Sequence, residues 1–321
     1  MIGSVGLFAV LRAGLLAGAL ALGGWVAPSS CDGPPPERGA AQEVASADTA
    51  TLMATVRALA ADSMEGRRAG TAGAARARRY LVDRFRRLGL KPLGSGYEHP
   101  FALGDTGKQG INLLGVISGS RLPEQYLVLS AHYDHLGTVG GVVYNGADDN
   151  ASGVAGVLAL AEALQRAPPV HSVIVALLDG EEEGLLGAKA FLAAPPVPRA
   201  ALRLDLNLDM VSHSEKGELF AAGTFYSPAL RPVLDSLSRR APVRLRLGHD
   251  RPDGSAGRDW TDESDQGPFH GAGIPFIYFG VEDHKDYHRP SDDPETITVA
   301  FFGGAVGTIL AAVRALDTAL R

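Results

Sequence analysis

The chain has a single cysteine, Cys31, among 321 residues, so no disulfide can form within it. It also lacks an excess of positive charge. Its 30 Lys and Arg against 36 Asp and Glu leave a formal charge of −6, and that balance gives no electrostatic case for a nucleic-acid partner. One local exception is "ARARRYLVDRFRRLGL", residues 75–90. Its Tyr80, Leu81, Phe85 and Leu88 follow helical spacing, so the arginines between them read as a solvated helix face rather than a binding patch. The uncharged run from Ala13 to Ala27 has 15 residues, short of the roughly 20 that a membrane-spanning helix needs. There is no internal repeat. The 45% hydrophobic content is enough for one large α/β domain or two small ones.

The short apolar run follows a single positive charge, Arg12, and ends in the small residues "APSSC". Residues 1–30 thus have the layout of a secretory signal. They also resemble a bacterial lipoprotein signal, which implies a lipid on Cys31 and membrane attachment through it. Pro28 stands where that motif has an aliphatic residue, and plain secretion is the alternative. Residues 32–47, "DGPPPERGAAQEVASA", read as a flexible tether. One folded domain is expected over 48–321, exported to the periplasm or cell envelope.

Within that domain, helical patterns fall at 49–62, 71–88, 152–166, 184–193, 227–240 and 298–319. Strand patterns fall at 111–118, 126–132, 172–179, 202–211 and 275–280. Continuous apolar strands alternating with helices predict an α/β fold: a mostly parallel, twisted central sheet with helices on both faces. Ligands of such sheets gather at the carboxyl ends of the strands. The polar clusters lie at those ends.

"LVLSAHYDH" puts His132 at the end of a strand, and strand alternation brings Asp134 to the same side, where it can orient the imidazole. By the same alternation His135 and Tyr133 point elsewhere and are read as structural. "GADDNASG" places Asp148 and Asp149 before a helix; capping needs one such residue, and a carboxylate bridging two cations accounts for the excess. "LLDGEEEGLLGA" adds Glu181, Glu182 and Glu183, and "DLNLDMVSH" adds Asp209 in an apolar run, where a charge is costly unless paired or metal-bound. Asp205, earlier in that run, is expected to be buried against an arginine or a helix end. "EDHKDYHRPSDD" supplies His284 and His288, and Asp292 or Asp293 to start the last helix. Imidazoles mixed with carboxylates suit a pair of zinc ions better than calcium or magnesium.

The ordered motifs "AHYDH", "GADDNASG", "EEEGLLGA", "NLDM" and "DYHRPSDD" resemble the co-catalytic two-zinc aminopeptidases of the aminopeptidase S and aminopeptidase Y type. "DSMEGRRAGTAGAARARRYLVDRFRRLGL" and "SDQGPFHGAGIPFIYF" extend the likeness over about residues 52–300. The resemblance implies a zinc-exopeptidase-like, phosphorylase/hydrolase-like fold and peptide substrates with free N-termini. It implies two zinc ions per chain, one held by His132 and Asp209, the other by Glu182 and His288, with Asp148 bridging. Asp134, Asp149 and Asp265 would stand behind these ligands. Glu181 would be the general base, passing a proton from the attacking water to the leaving amine. Glu183 would face solvent or pair with Lys189. For Tyr287 two readings stand, packing or a phenol that steadies the oxyanion. Gln266 replaces a histidine common in the family, and no inserted protease-associated domain fits before His132.

Alternatives on the same fold are a carboxypeptidase or dipeptidase, a glutaminyl cyclase, and an inactive binding ectodomain. A carboxypeptidase needs an arginine for the substrate carboxylate, for which Arg251, Arg258 and Arg289 are available. Cyclases of this fold keep fewer zinc ligands, and inactive domains lose ligands or the base. The acidic, Gly-rich stretch 248–267 reads either as a surface loop or as a rim that selects substrates.

Overall fold

The structure is a computed structural model that describes residues 45–320; the expected signal, Cys31 and most of the tether lie outside the described residues. Its helices are α1 (Thr49–Leu59), α2 (Ala72–Arg87), α3 (Gly153–Arg166), α4 (Leu186–Ala193), α5 (Arg231–Ser238), α6 (Gln266–Gly271) and α7 (Val299–Ala319). The strands are β1 (Lys91–Pro92), β2 (Glu98–Ala102), β3 (Gln109–Ile117), β4 (Leu122–His132), β5 (Gly137–Val139) and β6 (Val142–Tyr144). They continue with β7 (His171–Leu178), β8 (Leu202–Leu208), β9 (Glu218–Ala222), β10 (Arg244–Leu247) and β11 (Phe276–Gly280).

The main sheet runs β1-β3-β7-β4-β8-β11-β9-β10, with β2 paired to β3, and β5 and β6 form a separate hairpin. Its four central strands β7, β4, β8 and β11 are parallel. On either side the direction changes, because β3 pairs antiparallel with β7 and β9 antiparallel with β11. The expected parallel sheet is therefore the centre of a mixed one. Strands β1, β2, β5, β6, β9 and β10 escaped the sequence reading because each is short, and "RLRL" is also interrupted by charge.

All eight residues of β7 are buried, as a strand covered on both faces requires. Alternation sorts them: Val173, Val175 and Leu177 join the larger core with α1, α3 and α7, while Ile174, Ala176 and Leu178 face α4 and α6. Among the described residues α7 is the one helix long and apolar enough to cross a membrane, and two thirds of its apolar window is buried within the fold. Gly303 lets the chain entering α1 lie against it: a Cβ there would sit 2.6 Å from Thr49 Cγ2, and Ala47 N–H donates to Gly303 O at 2.8 Å. Asp48 caps α1, accepting from Ala50 N–H at 3.1 Å.

The consequence for function lies at one edge. His132 is paired beside Leu178, and Leu208 beside Phe279. Four parallel strands thus end together and release His132, the 179–185 turn, Asp209 and the 281–288 loop into the same space.

Candidate metal centre

Two groups of donor atoms meet at that edge. In the first, His132 Nε2 lies 3.2 Å from Asp209 Oδ1, and Glu181 joins this pair. In the second, His288 Nε2 lies 3.4 Å from Glu182 Oε2. Asp149 spans them, its Oδ1 3.4 Å from His132 Nε2 and its Oδ2 3.1 Å from His288 Nε2. Donor atoms of His132, Glu181 and Asp209 lie within 4.8 Å of one another, as do those of His135, Asp149 and Glu182. No lysine or arginine pairs with Asp149, Glu182 or Asp209 among the described residues; their ion-pair partners are histidines. Crowded, mostly buried carboxylates facing imidazoles are unfavourable without compensating positive charge. Nitrogen and oxygen donors in this proportion fit zinc.

The position expected for Asp148 is thus taken by Asp149. Asp148 is fully buried and turned the other way. Its Oδ1 accepts from Ser212 N–H at 2.8 Å, Ser212 Oγ at 2.7 Å and Ser152 Oγ at 3.1 Å, and its Oδ2 from His284 Nε2 at 3.1 Å. Burial pushes the Asp148 carboxyl up, but these bonds outweigh it and hold it below its usual value. A carboxylate so saturated has nothing left for a cation. Asp149 in turn is no supporting group but the spanning one. Its backbone is held by Asp292, whose two oxygens accept from Asp148 N–H at 2.9 Å and Asp149 N–H at 3.0 Å. Asp292 therefore pins the turn instead of starting the last helix. Asn150 ties α3 to β8, accepting from Gly153 N–H at 2.8 Å and donating to Leu208 O at 2.9 Å.

Asp134 lies behind His132 as expected, but chiefly through its backbone. His132 Nδ1 donates to Asp134 O at 3.3 Å, and the carboxylate Oδ1 is 3.8 Å away. That bond leaves the Nε2 lone pair directed at the carboxylates. Asp134 Oδ1 instead accepts from Glu181 N–H at 3.1 Å, linking β4 to the glutamate turn. Glu181 itself is pushed well above its ordinary value by burial, with Asp209, Asp265 and Glu182 adding to the effect against the pull of His132. Asp265 is fully buried, neither of its oxygens has a hydrogen-bond partner, and burial raises it to about 7. Tyr287 stacks on His288 with ring centroids 4.0 Å apart, and burial raises its phenol above the ordinary value. Glu183 pairs at the surface with Arg68 at 2.8 Å, not with Lys189, which donates to Gly184 O. Asp205 is buried without an arginine, accepting from Ser130 Oγ at 2.8 Å.

The sequence reading missed His135, whose Nδ1 donates to Glu182 Oε1 at 2.8 Å. Alternation failed there because β4 ends at His132. Arg67 was missed too, inside "EGRRAG". It is fully buried and donates only to carbonyls: Tyr133 at 2.8 Å, Leu59 at 2.7 Å, Asn145 at 2.5 Å and Gly146 at 2.9 Å. It thereby clamps the exit of β4 to the turn preceding Asp149, and burial lowers it to about 10. Its lone charge lies beneath the carboxylates without pairing to any. The stretch 248–267 is a folded rim. Trp260 is buried and stacked on His249 at 3.6 Å, and Gln266 Nε2 donates to Trp260 O at 2.6 Å.

A third cluster, His213, His284 and Asp286, has different chemistry. His213 and His284 stack with centroids 3.9 Å apart and planes 17° from parallel, so their in-plane lone pairs do not converge. Both nitrogens of His284 are also engaged, Nε2 donating to Asp148 and Nδ1 accepting from Asp286 N–H at 3.3 Å. This cluster braces Asp148.

Residues 112–313 match the model of peptidase family M28. A probable zinc metalloprotease of Pyrenophora teres f. teres is 28% identical over 198 residues, covering 54% of this chain and 39% of that protein. The chain thus spans well under half the length of such curated relatives. Among solved structures, a zinc aminopeptidase of Bacillus subtilis superposes with a TM-score of 0.67 at 17% identity, covering 85% of this chain and 96% of that one. A glutaminyl cyclase of Porphyromonas gingivalis gives a TM-score of 0.67 at 17% identity, covering 85% and 99%. At such identity these two structures establish the shared fold. With the family match covering more than half of the sequence, the chain belongs to peptidase family M28.

Proposed function

We propose that this chain is an exported aminopeptidase that uses two zinc ions. The observation that carries the reading is the spanning position of Asp149 between the His132–Asp209 and His288–Glu182 pairs, with Glu181 beside them. His132, Asp209 and Asp149 would hold one ion, and Glu182, His288 and Asp149 the other. Bound zinc would lower the pKa of water and polarise the scissile carbonyl.

The remaining steps belong to the chain. Glu181, raised by burial, takes a proton from the attacking water and passes it to the leaving amine. Tyr287 keeps its phenolic proton and lines the same cavity, so it donates to the oxygen on which charge develops. His135 holds Glu182 in place, and the Asp134 carbonyl fixes the tautomer of His132. Glu181 and Asp209 present carboxylates to a protonated α-amino group.

The test is a series of peptides with free and N-acetylated ends. Free peptides are expected to lose residues one at a time from the N-terminus, and the acetylated forms to resist. Release of C-terminal residues first would favour a carboxypeptidase. A cyclase draws support from the Porphyromonas gingivalis likeness, but the complete ligand set favours hydrolysis. Export rests on residues 1–30, and a lipid on Cys31 in mass spectra of the mature protein would establish the anchor.

A further inference from the structure

Of the three arginines open to a carboxylate role, the structure brings one to the metal centre. Arg251 stacks over Phe225, 4.9 Å from the ring centroid. Arg289 does not line the cavity, and Arg258 is the one lysine or arginine that does. Its guanidinium is held by two acids: Nε donates to Glu263 Oε1 at 2.8 Å and Nη1 to Asp283 Oδ2 at 3.1 Å. Glu263 belongs to the rim loop, whereas Asp283 belongs to the loop that carries Tyr287 and His288. The head group is thereby fixed between the two walls of the cavity.

A guanidinium has five N–H donors, and Arg258 spends two on these acids. Its Nη2 has no protein acceptor among the described residues. Glu263 and Asp283 are 37% and 52% exposed, so water screens their charge, while the fork keeps the geometry that a carboxylate accepts from. The cavity is small, about 260 Å³, below the about 300–1,000 Å³ of pockets for drug-sized ligands. The buried carboxylates of Asp149 and Asp209 and the more exposed Arg258 line this one cavity, so groups suited to both ends of a small zwitterion face the same space.

We propose that Arg258 receives the C-terminal carboxylate of the substrate and that the site prefers dipeptides to long peptides. The proposal rests on the aminopeptidase reading above, since the α-amino end is then the one at the buried carboxylates. A long peptide carries its carboxylate out of reach of Arg258 and forgoes the contact.

The test compares dipeptides of small apolar residues with their C-terminal amides on the zinc-loaded enzyme. Wild type is expected to show kcat/KM about tenfold higher for the free acids, the size of one charge-assisted contact at a partly exposed site. Arg258→Met should bring the acid-to-amide ratio to about one, and Arg258→Lys, which keeps the charge and loses the fork, to an intermediate value. Calorimetry with a dipeptide analogue whose peptide bond is reduced, as acid and as amide, should give the same ordering of Kd without turnover. A wild-type ratio near one would overturn the proposal. So would equal losses on acid and amide in Arg258→Met, which would make Arg258 a strut between the two loops. Failure of the aminopeptidase reading is separately visible, because N-acetylated dipeptides would then be cleaved as well as free ones.

Discussion

Asp149 reaches two histidines at once, with Oδ1 3.4 Å from His132 Nε2 and Oδ2 3.1 Å from His288 Nε2. Its neighbour Asp148 reaches neither and accepts from Ser152, Ser212 and His284. Asp149→Ala is therefore expected to lose zinc from both positions, whereas His132→Ala loses mainly one equivalent. Asp148→Asn should lower stability and keep the capacity for two equivalents. Elemental analysis of the purified variants decides; retention of two ions by Asp149→Ala would refute the spanning role.

Glu181 and Glu182 are adjacent but differently engaged, since Glu182 takes bonds from His135 and His288 and Glu181 faces the cavity. Glu181→Gln should reduce turnover about 10²- to 10⁴-fold, the range for loss of a general base, with zinc content near wild type. Glu182→Gln should weaken metal retention instead. The opposite pattern would shift the base by one residue.

Among the described residues, Arg67 is the sole side-chain donor to the carbonyls of Tyr133, Asn145 and Gly146. Arg67→Met removes the side-chain donor from these carbonyls, of which Gly146 O keeps the Ala151 N–H, and should cost about 3 kcal/mol, read as a lower urea midpoint of the zinc-loaded protein. Arg67→Lys should recover only part, because one ammonium cannot span carbonyls on three segments. An unchanged midpoint in Arg67→Met would remove the clamp from the account.

The Asp292 carboxylate holds the turn through the backbone N–H groups of Asp148 and Asp149, beside a third bond from Ala147 N–H to the Asp292 carbonyl. Asp292→Asn turns an amide donor toward one of them. Zinc affinity should fall about 10- to 100-fold, as for other groups that support metal ligands. Chelator competition measures it, and wild-type affinity in that variant would show that the turn holds itself.

Much of the arrangement was legible in the order of residues. Apolar runs such as "SVIVALLD" identify buried strands because few other structures bury every side chain in succession. A strand end is where a parallel sheet releases polar residues into a common crevice, so His132, Glu182, Asp209 and His288 could be grouped from spacing and likeness. The acidic rim stretch was ambiguous, because acids and glycines leave loops and folded rims alike. Its order comes from contacts distant in sequence, such as Asp250 accepting from Gly223 N–H and Phe225 N–H, each at 2.9 Å.

What the sequence determined by itself was which strands are buried, which strand ends carry donors, and that the donors are imidazoles and carboxylates in a proportion that calls for cations. Those properties follow from local composition and alternation. Tertiary structure alone turned Asp149 rather than Asp148 toward His132 and His288, brought His135 to Glu182, and left Arg67 beneath the site with only carbonyl partners. In each case the deciding segment is irregular. Outside strands and helices no period dictates where a side chain points, so distant groups such as Asp292, Ser212 and Arg67 set the direction through hydrogen bonds.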